Sequence, residues 1–323
     1  MTRQEKKRDN LVCVYSFASG RSFDDCVFLG QRYRERTGDS PDVSDYWVLA
    51  IRSTGADDTE ITRVLKGKRW LTGIWRSPSG VVWIADATGK AVHRLSDVYD
   101  LAGRPPTESV LGAVFEGVWG LDDQNVFAWG MQKSARGQRG TAVFRFDGTN
   151  WAEFPAPGFD VIDMRGIAPD LILAVGVGGG VARWDGRSWT RFQTPTTELL
   201  CCVHVAGPDE SYACGHGGSI LAGSAREWSQ IGEIPHGLPA FAVAKFRDQL
   251  FVAGGPLGLF RSCGATRPLE LIKPNIRATW FDARDDLVIT CDTEIDGTAD
   301  GEAFFGTAED FLCQTTADLE ILD

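Results

Sequence analysis

The sequence predicts an all-β fold made of repeated four-stranded sheets, and three observations carry this prediction. The chain of 323 residues contains 37 Gly, 11 Trp and 18 Phe, a composition typical of many short strands joined by tight turns. Strand-like apolar runs alternate with polar turns, without a convincing helical period. A short motif also recurs about every forty residues, which indicates a repeat architecture.

The recurring motif is an apolar pair, then a small residue and often a glycine. Its copies begin at Trp47, Trp83, Phe127, Leu173, Tyr212, Phe251 and Ile289. A strand-like run and a polar turn precede each good copy, and a Gly-rich turn and a third strand follow it. An aromatic fourth strand then begins, as in the segments 147–151 and 185–189, which read Asp-Gly-x-x-Trp. The unit is therefore four antiparallel strands joined by three short turns.

Seven such units predict a seven-bladed β-propeller, because a closed ring of blades buries both faces of every sheet. The predicted blades cover about residues 11–67, 68–108, 110–156, 158–195, 199–234, 238–273 and 275–323. Residues 1–323 then form a single propeller domain with a flexible N-terminus at 1–10. Blade one fits least well, so we expect residues 18–45 to be an insertion in it, unless Leu11–Tyr15 supply a strand to the last blade. Six blades with an N-terminal extension are the alternative.

These repeats resemble bacterial β-propeller proteins with an Asp-Gly-x-x-Trp unit, similar in period to WD40 and YVTN-type propellers. The resemblance covers about residues 70–292, although the Gly-His pair of WD40 repeats is missing. It implies that the first and third turns of each blade lie on one face of the disc, and the second turns on the other. It implies nothing about activity, since propellers include both binding modules and enzymes.

The charge balance indicates the class of partner. The chain carries 33 Lys and Arg against 44 Asp and Glu, a net charge of −11. This excess disfavours nucleic acid and anionic membranes, and it suits a basic protein partner. The first and third turns would place one set of acids on one face: Asp122, Asp123, Asp147, Asp170, Asp185, Asp209, Glu210, Asp248, Asp285 and Asp286. These acids either bond their own turns or form an acidic ring for a basic partner.

Long second turns supply the candidate binding residues. If the ring closes, the second turns of blades seven and one would form a single acidic patch of Asp57, Asp58, Glu60, Asp292, Glu294, Asp296, Asp300 and Glu302. The second turn of blade three is basic and contributes Arg136 and Arg139. Loops that are longer than their counterparts in other repeats often carry function, and solvated loops are the alternative interpretation.

The sequence assigns no catalytic residue, metal ligand or cofactor. A calcium loop is the one alternative, because Asp292, Glu294 and Asp296 have the spacing of its first three ligands. The final ligand should be Glu, and the residue there is Ala303. Cys214 and His216 are a further candidate, for a nucleophile pair, since residues i and i+2 share a face of a strand.

We therefore expect a non-enzymatic, protein-binding propeller in the bacterial cytoplasm. The charged N-terminus MTRQEKKRDN has no apolar core of a signal peptide, and no apolar run reaches the roughly 20 residues of a membrane helix. One concrete form is an immunity protein that neutralises a basic toxin. The alternative function is a propeller hydrolase with a metal-assisted or carboxylate-based site on one face. The oligomeric state is left open.

Overall fold

The computed structural model describes residues 11–34, 44–54, 59–133, 137–262 and 268–307. These residues form seven four-stranded antiparallel sheets, which confirms the prediction of an all-β, seven-bladed propeller. The expected flexible N-terminus, residues 1–10, lies outside the described residues.

The first four blades follow one another along the chain. Blade one contains β1 (Leu11–Ser22), β2 (Asp25–Arg34), β3 (Asp45–Ser53) and β4 (Thr59–Lys68). Blade two contains β5 (Leu71–Arg76), β6 (Val82–Asp86), β7 (Ala91–Leu95) and β8 (Thr107–Val110). Blade three contains β9 (Val114–Asp122), β10 (Asn125–Lys133), β11 (Arg139–Phe146) and β12 (Trp151–Phe154). Blade four contains β13 (Val161–Ala168), β14 (Leu171–Gly176), β15 (Gly180–Trp184) and β16 (Trp189–Phe192).

The last three blades have the same order of strands. Blade five contains β17 (Leu200–Gly207), β18 (Glu210–Gly215), β19 (Ser219–Gly223) and β20 (Trp228–Glu233). Blade six contains β21 (Ala242–Phe246), β22 (Gln249–Ala253), β23 (Leu259–Ser262) and β24 (Glu270–Lys273). Blade seven contains β25 (Ala278–Ala283), β26 (Leu287–Cys291), β27 (Ile295–Thr298) and β28 (Phe305–Gly306).

The first strand of every blade lies innermost in the ring. Each first strand contacts the first strand of the next blade, and β25 of blade seven contacts β1 of blade one. The ring therefore closes with seven blades, and the six-bladed alternative is wrong. The expectation that Leu11–Tyr15 join the last blade is also wrong, because this segment pairs with β2 of its own blade.

The expected insertion at residues 18–45 is wrong for the part that the structure describes. Residues 18–34 form the end of β1 and all of β2, while residues 35–43 lie outside the described residues. The sequence motif misled because its copy at Trp47 lies in the third strand, whereas the other copies lie in second strands. The second strand of blade one is β2, in which Val27, Phe28 and Leu29 are buried. Because β1 and β2 are long, the motif at Trp47 falls one strand later in blade one than in the other blades.

The second strands form the buried layer of the propeller. Phe127, Ala128 and Trp129 in β10 are all at most 2% exposed, and all six residues of β14 are buried. Successive side chains of a strand point to opposite faces, so burial of both sets means that each blade packs against two neighbours. Each such large apolar side chain contributes about 1.5–3 kcal/mol on burial.

Antiparallel order fixes the two faces of the disc, as expected. First and third turns lie on one face, here called the first-turn face. Second turns and the connections between blades lie on the other, the second-turn face. A typical third turn is closed by Asp147, whose Oδ1 accepts hydrogen bonds from the backbone N–H groups of Thr149 and Asn150 at 2.8 Å each. Gly148 supplies the φ of +99° that this turn requires.

Candidate functional site

The seven inner strands enclose a central channel with two cavities. The cavity in the first-turn half measures about 300 Å³, and the cavity in the second-turn half measures about 410 Å³. Ile74, Val118, Arg165 and Trp280 line both cavities and mark the boundary between them. Volumes of this size fall in the range of about 300–1,000 Å³ that small-molecule and side-chain pockets occupy.

The mouth of the first-turn half is largely apolar. Trp75, Leu121, Ile167 and Val205 line it, and Ile167 is 47% exposed. Apolar side chains gathered at a concave surface are a common feature of binding sites.

A saturated polar network occupies the blade-seven wall of the first-turn half. Asp282 accepts hydrogen bonds from the Ser19 hydroxyl at 2.8 Å and from the Gly20 N–H at 3.0 Å. The Arg284 guanidinium donates to both carboxylate oxygens of Asp282, at 3.1 and 3.0 Å. The Arg76 N–H donates to the Ser19 hydroxyl at 2.9 Å. Because these groups belong to blades seven, one and two, the network holds the closing seam of the ring.

A second network narrows the channel between the two cavities. Arg165 forms an ion pair with Asp163 at 2.7 Å, and its guanidinium lies 5.0 Å from the centre of the Trp280 ring. Trp280 in turn makes an edge-to-face contact with Phe17 at 5.0 Å. Burial raises the pKa of Asp163, against the lowering effects of Arg165 and of the Val203 N–H that bonds its carboxylate. Arg165 and the Val203 N–H both bond the Asp163 carboxylate, so the two charged residues of this network are paired with each other inside the channel.

His204 and Cys201 of the channel wall are uncharged at neutral pH. Burial, reinforced by the charge of Arg165, lowers the pKa of His204 to about 4. Burial raises the pKa of Cys201 to about 11 and also raises that of Cys214. His204 is therefore a weak base, and neither thiol is a thiolate. The proposed pair of Cys214 with His216 lacks the thiolate that nucleophilic chemistry needs, since Cys214 is buried while His216 is exposed in the turn after β18.

Aromatic side chains and the carboxylates of Glu116 and Asp163 line the second-turn half. Tyr33 and Trp70 make an edge-to-face pair at 6.0 Å, and Trp129 and Trp280 contribute to the same wall. Glu116 is exposed to the cavity. Enclosure by the walls, together with the charge of nearby Asp160, raises the pKa of Glu116. The described residues provide no hydrogen-bond or ion-pair partner for its carboxylate.

The predicted carboxylates do lie on the first-turn face, and many of them bond their own turns. Asp122, Asp147 and Asp185 each accept hydrogen bonds from backbone N–H groups two or three residues ahead. These bonds lower the pKa of Asp147 and of Asp185, so both stay ionised. Others are paired, for example Asp285 with Arg21 at 2.9 Å. Turn formation thus explains much of the pattern, and it also fixes the charges on one face.

The predicted acidic patch is split between the two faces. Glu60, Asp300 and Glu302 lie on the first-turn face, because they flank or form third turns. Asp292 and Glu294 lie in the second turn of blade seven, on the opposite face. The expectation of a single patch is therefore wrong for these residues. Asp57 and Asp58, along with Arg136 of the basic loop, lie outside the described residues, and Arg139 is exposed at the start of β11.

Two of the predicted patch residues form an unrecognised copy of the repeat turn. Asp300 Oδ1 accepts hydrogen bonds from the N–H groups of Glu302 and Ala303 at 2.8 and 2.9 Å, with Gly301 at φ +83°. Glu302 pairs with Arg261 at 2.8 Å. The order Asp-Gly-x-x-Phe at residues 300–304 is the signal that the sequence contained for this turn.

Of the three residues of the possible calcium loop, Glu294 and Asp296 lie together and Asp292 lies outside their group. Asp292 pairs with Arg277 at 2.5 Å, while Asp296 is 9% exposed within β27. The fold instead groups Asp296 and Glu294 with Cys291, their ligand atoms lying within 4.8 Å of one another. Burial, followed by the charge of Glu294, raises the pKa of Asp296 to about 6. Calcium binding stays a prediction.

Sequence reasoning missed Glu116, Arg165 and Asp282. All three lie on inner strands, and nothing in a strand-like run indicates which charged residue faces the channel. The only signal in the sequence was that each of these charged residues interrupts an apolar strand.

Comparisons with known proteins identify the fold. No family model and no curated protein sequence matches the chain. The structure of YCF48 bound to a D1 peptide is similar with a TM-score of 0.59 and 14% identity, covering 90% of this chain and 94% of that chain. The WD40 propeller domain of Doa1 is similar with a TM-score of 0.66 and 10% identity, over 86% and 90% of the two chains. Virginiamycin B lyase from Staphylococcus aureus is similar with a TM-score of 0.59 and 15% identity, covering 73% of this chain and 83% of that chain. At these identities the likeness shows the propeller fold.

Within the described residues, no helix has the length and apolar character needed to cross a membrane.

Proposed function

We propose that this protein is a non-enzymatic propeller that binds a basic protein partner through its first-turn face. The observation that carries this proposal is an apolar channel mouth surrounded by carboxylates. Leu121, Ile167 and Val205 form the centre, and Asp170 and Asp209 lie exposed in the turns around it. An apolar centre within a polar rim is the usual anatomy of a protein interface.

The rim favours a partner with lysine or arginine around an apolar segment. The side chain of Asp248 is 99% exposed, and Asp147 and Asp185 are fixed by their turn hydrogen bonds. Carboxylates held in place before binding lose little conformational entropy when a cation approaches. They also steer a basic partner toward the face over distances of about 8–10 Å at physiological salt.

Propellers of similar structure support a binding role. One of the similar structures is YCF48 bound to a D1 peptide, and another is a WD40 domain. The narrower role of an immunity protein against a basic toxin stays a prediction, as does the hydrolase alternative. The channel-wall residues His204 and Cys201, both uncharged at neutral pH, do not favour hydrolysis.

Affinity capture from the native cells with matched variants tests the proposal. The variants are Ile167→Glu at the apolar centre and the pair Asp170→Asn with Asp209→Asn on the rim. We expect Ile167→Glu to abolish capture of a stoichiometric partner, and the rim pair to slow association about threefold to tenfold at low salt.

The control neutralises the same number of charges on the opposite face, with Glu198→Gln and Glu233→Gln, both exposed in the structure. Capture that survives Ile167→Glu, or that falls equally with the control pair, would show that the first-turn face is not the binding face. An acidic partner would contradict the predicted charge complementarity.

A further inference from the structure

We infer that the second-turn half of the channel is a binding site for an organic cation, a guanidinium or alkylammonium group. This site is separate from the first-turn face and does not depend on the function proposed above. The inference rests on a cavity of about 410 Å³ with aromatic walls and one unpartnered carboxylate.

The charge of the cavity selects a cation. Among the described residues that line it, Glu116 and Asp163 are the acids and Arg165 is the base. Arg165 is already engaged, because it pairs with Asp163 at 2.7 Å and also donates to the Met164 carbonyl at 2.7 Å. Glu116 is therefore the carboxylate of the lining that has no basic partner among the described residues. Asp160, close enough to act on Glu116 electrostatically, adds to the negative potential.

The walls suit a cation that is only weakly hydrated. Tyr33, Trp70 and Trp280 are each half-buried, with ring surface left at the cavity. Aromatic faces attract guanidinium and ammonium groups by about 0.5–2 kcal/mol per contact, according to how far the cation is desolvated. Arg165 already makes a contact of this kind at the cavity, with its guanidinium 5.0 Å from the centre of the Trp280 ring.

Two glycines in the cavity wall have no side chains to fill the cavity, which leaves space for a ligand the size of a side chain. Gly73 and Gly117 line the cavity on neighbouring inner strands, and a Cβ on Gly117 would come within 2.3 Å of the Trp129 ring. A side chain at that position would displace the Trp129 wall. Trp129 is itself held by a hydrogen bond from its indole N–H to the Ile162 carbonyl at 3.1 Å, so the wall is preformed.

Calorimetric titration of the purified full-length protein tests the site with three probes of similar shape. These are N-acetyl-arginine amide, agmatine and the neutral N-acetyl-citrulline amide. We expect both cations to bind with a dissociation constant on the order of 1 mM or below, and citrulline amide at least tenfold more weakly. Binding of the blocked arginine indicates a site for a protein side chain. Binding of agmatine alone assigns the site to a free small cation.

Substitutions locate the bound cation. Glu116→Gln should weaken cation binding about tenfold or more, and Glu198→Gln, an exposed acid on the same face, should leave it unchanged. Trp70→Leu should weaken binding about threefold to tenfold, and Trp70→Phe should largely restore it. Thermal unfolding verifies that each variant is folded. Equal binding of the citrulline probe, unchanged binding in Glu116→Gln, or no saturable binding of either cation would overturn the inference.

Discussion

The two halves of the channel differ in how their carboxylates are satisfied. In the first-turn half, Asp282 accepts hydrogen bonds from Ser19 and Gly20 and pairs with Arg284 through both of its oxygens. In the second-turn half, Glu116 has no such partner among the described residues and opens to a cavity. The first carboxylate is committed to holding the ring closed, and the second is available to a ligand. Two acids on equivalent inner strands thus have different roles.

Removal of the committed carboxylate should have the largest effect on stability. We expect Asp282→Ala to lower the free energy of unfolding by about 2–3 kcal/mol, because it leaves Arg284 and the Gly20 N–H without their partly buried partner. Urea unfolding at pH 7 measures the change.

The matched substitution is Glu116→Gln in the other half, which should change the unfolding free energy by no more than about 0.5 kcal/mol. If the two variants unfold at the same urea concentration, the distinction between the two carboxylates is wrong.

A buried carboxylate in blade seven, Asp296, extends the comparison through its pH dependence. The pKa of Asp296 is raised to about 6 in the folded state, from an ordinary value of 3.8. Its protonated form is therefore favoured by folding. The resulting stability is fully present below pH 3.8 and is lost as the pH rises through about 6.

We expect Asp296→Asn to remove this dependence. The stability of the wild type relative to the variant should fall by about 3 kcal/mol between pH 3.8 and pH 7.5, from roughly 1.4 kcal/mol per pKa unit. Chemical unfolding of both proteins at several pH values measures this difference in stability. A constant difference between the two proteins across this range would show that Asp296 titrates normally.

Third-turn residues should show smaller effects than Asp282 or Asp296. Asp185→Ala removes two backbone hydrogen bonds of 2.8 and 2.7 Å and should cost about 1 kcal/mol. The equivalent Ser224 in blade five makes longer bonds of 3.1 and 3.3 Å, so Ser224→Ala should cost less. Parallel urea titrations compare the two. A larger loss for Ser224→Ala would contradict the view that Asp is chosen in these turns for its backbone bonds.

The fold could be predicted because the same strand pattern recurs along the sequence. The candidate site could not be predicted, because its residues come together only when the ring closes. The motif at Phe127, Leu173, Tyr212 and Phe251 marks buried second strands, and each blade repeats the same packing requirement. Blade one escaped the period because its strands are long and its motif at Trp47 lies in the third strand.

The roles of the channel residues depend on partners that are far away in the sequence. Asp282 meets Ser19 from the other end of the sequence, and Glu116 shares a cavity with Tyr33 and Trp280. No local spacing in the sequence predicts these contacts. The acidic patch failed for a related reason, since the turn that contains Asp300 was assigned to the wrong position within its blade.

Hydrogen–deuterium exchange of the full-length protein with and without its captured partner tests the central claim most directly. If the first-turn face binds the partner, protection should appear in the first turns near residues 121–124, 167–171 and 205–210, and the second turns at 216–218 and 254–258 should exchange unchanged. Protection confined to the second turns would contradict the proposed binding face.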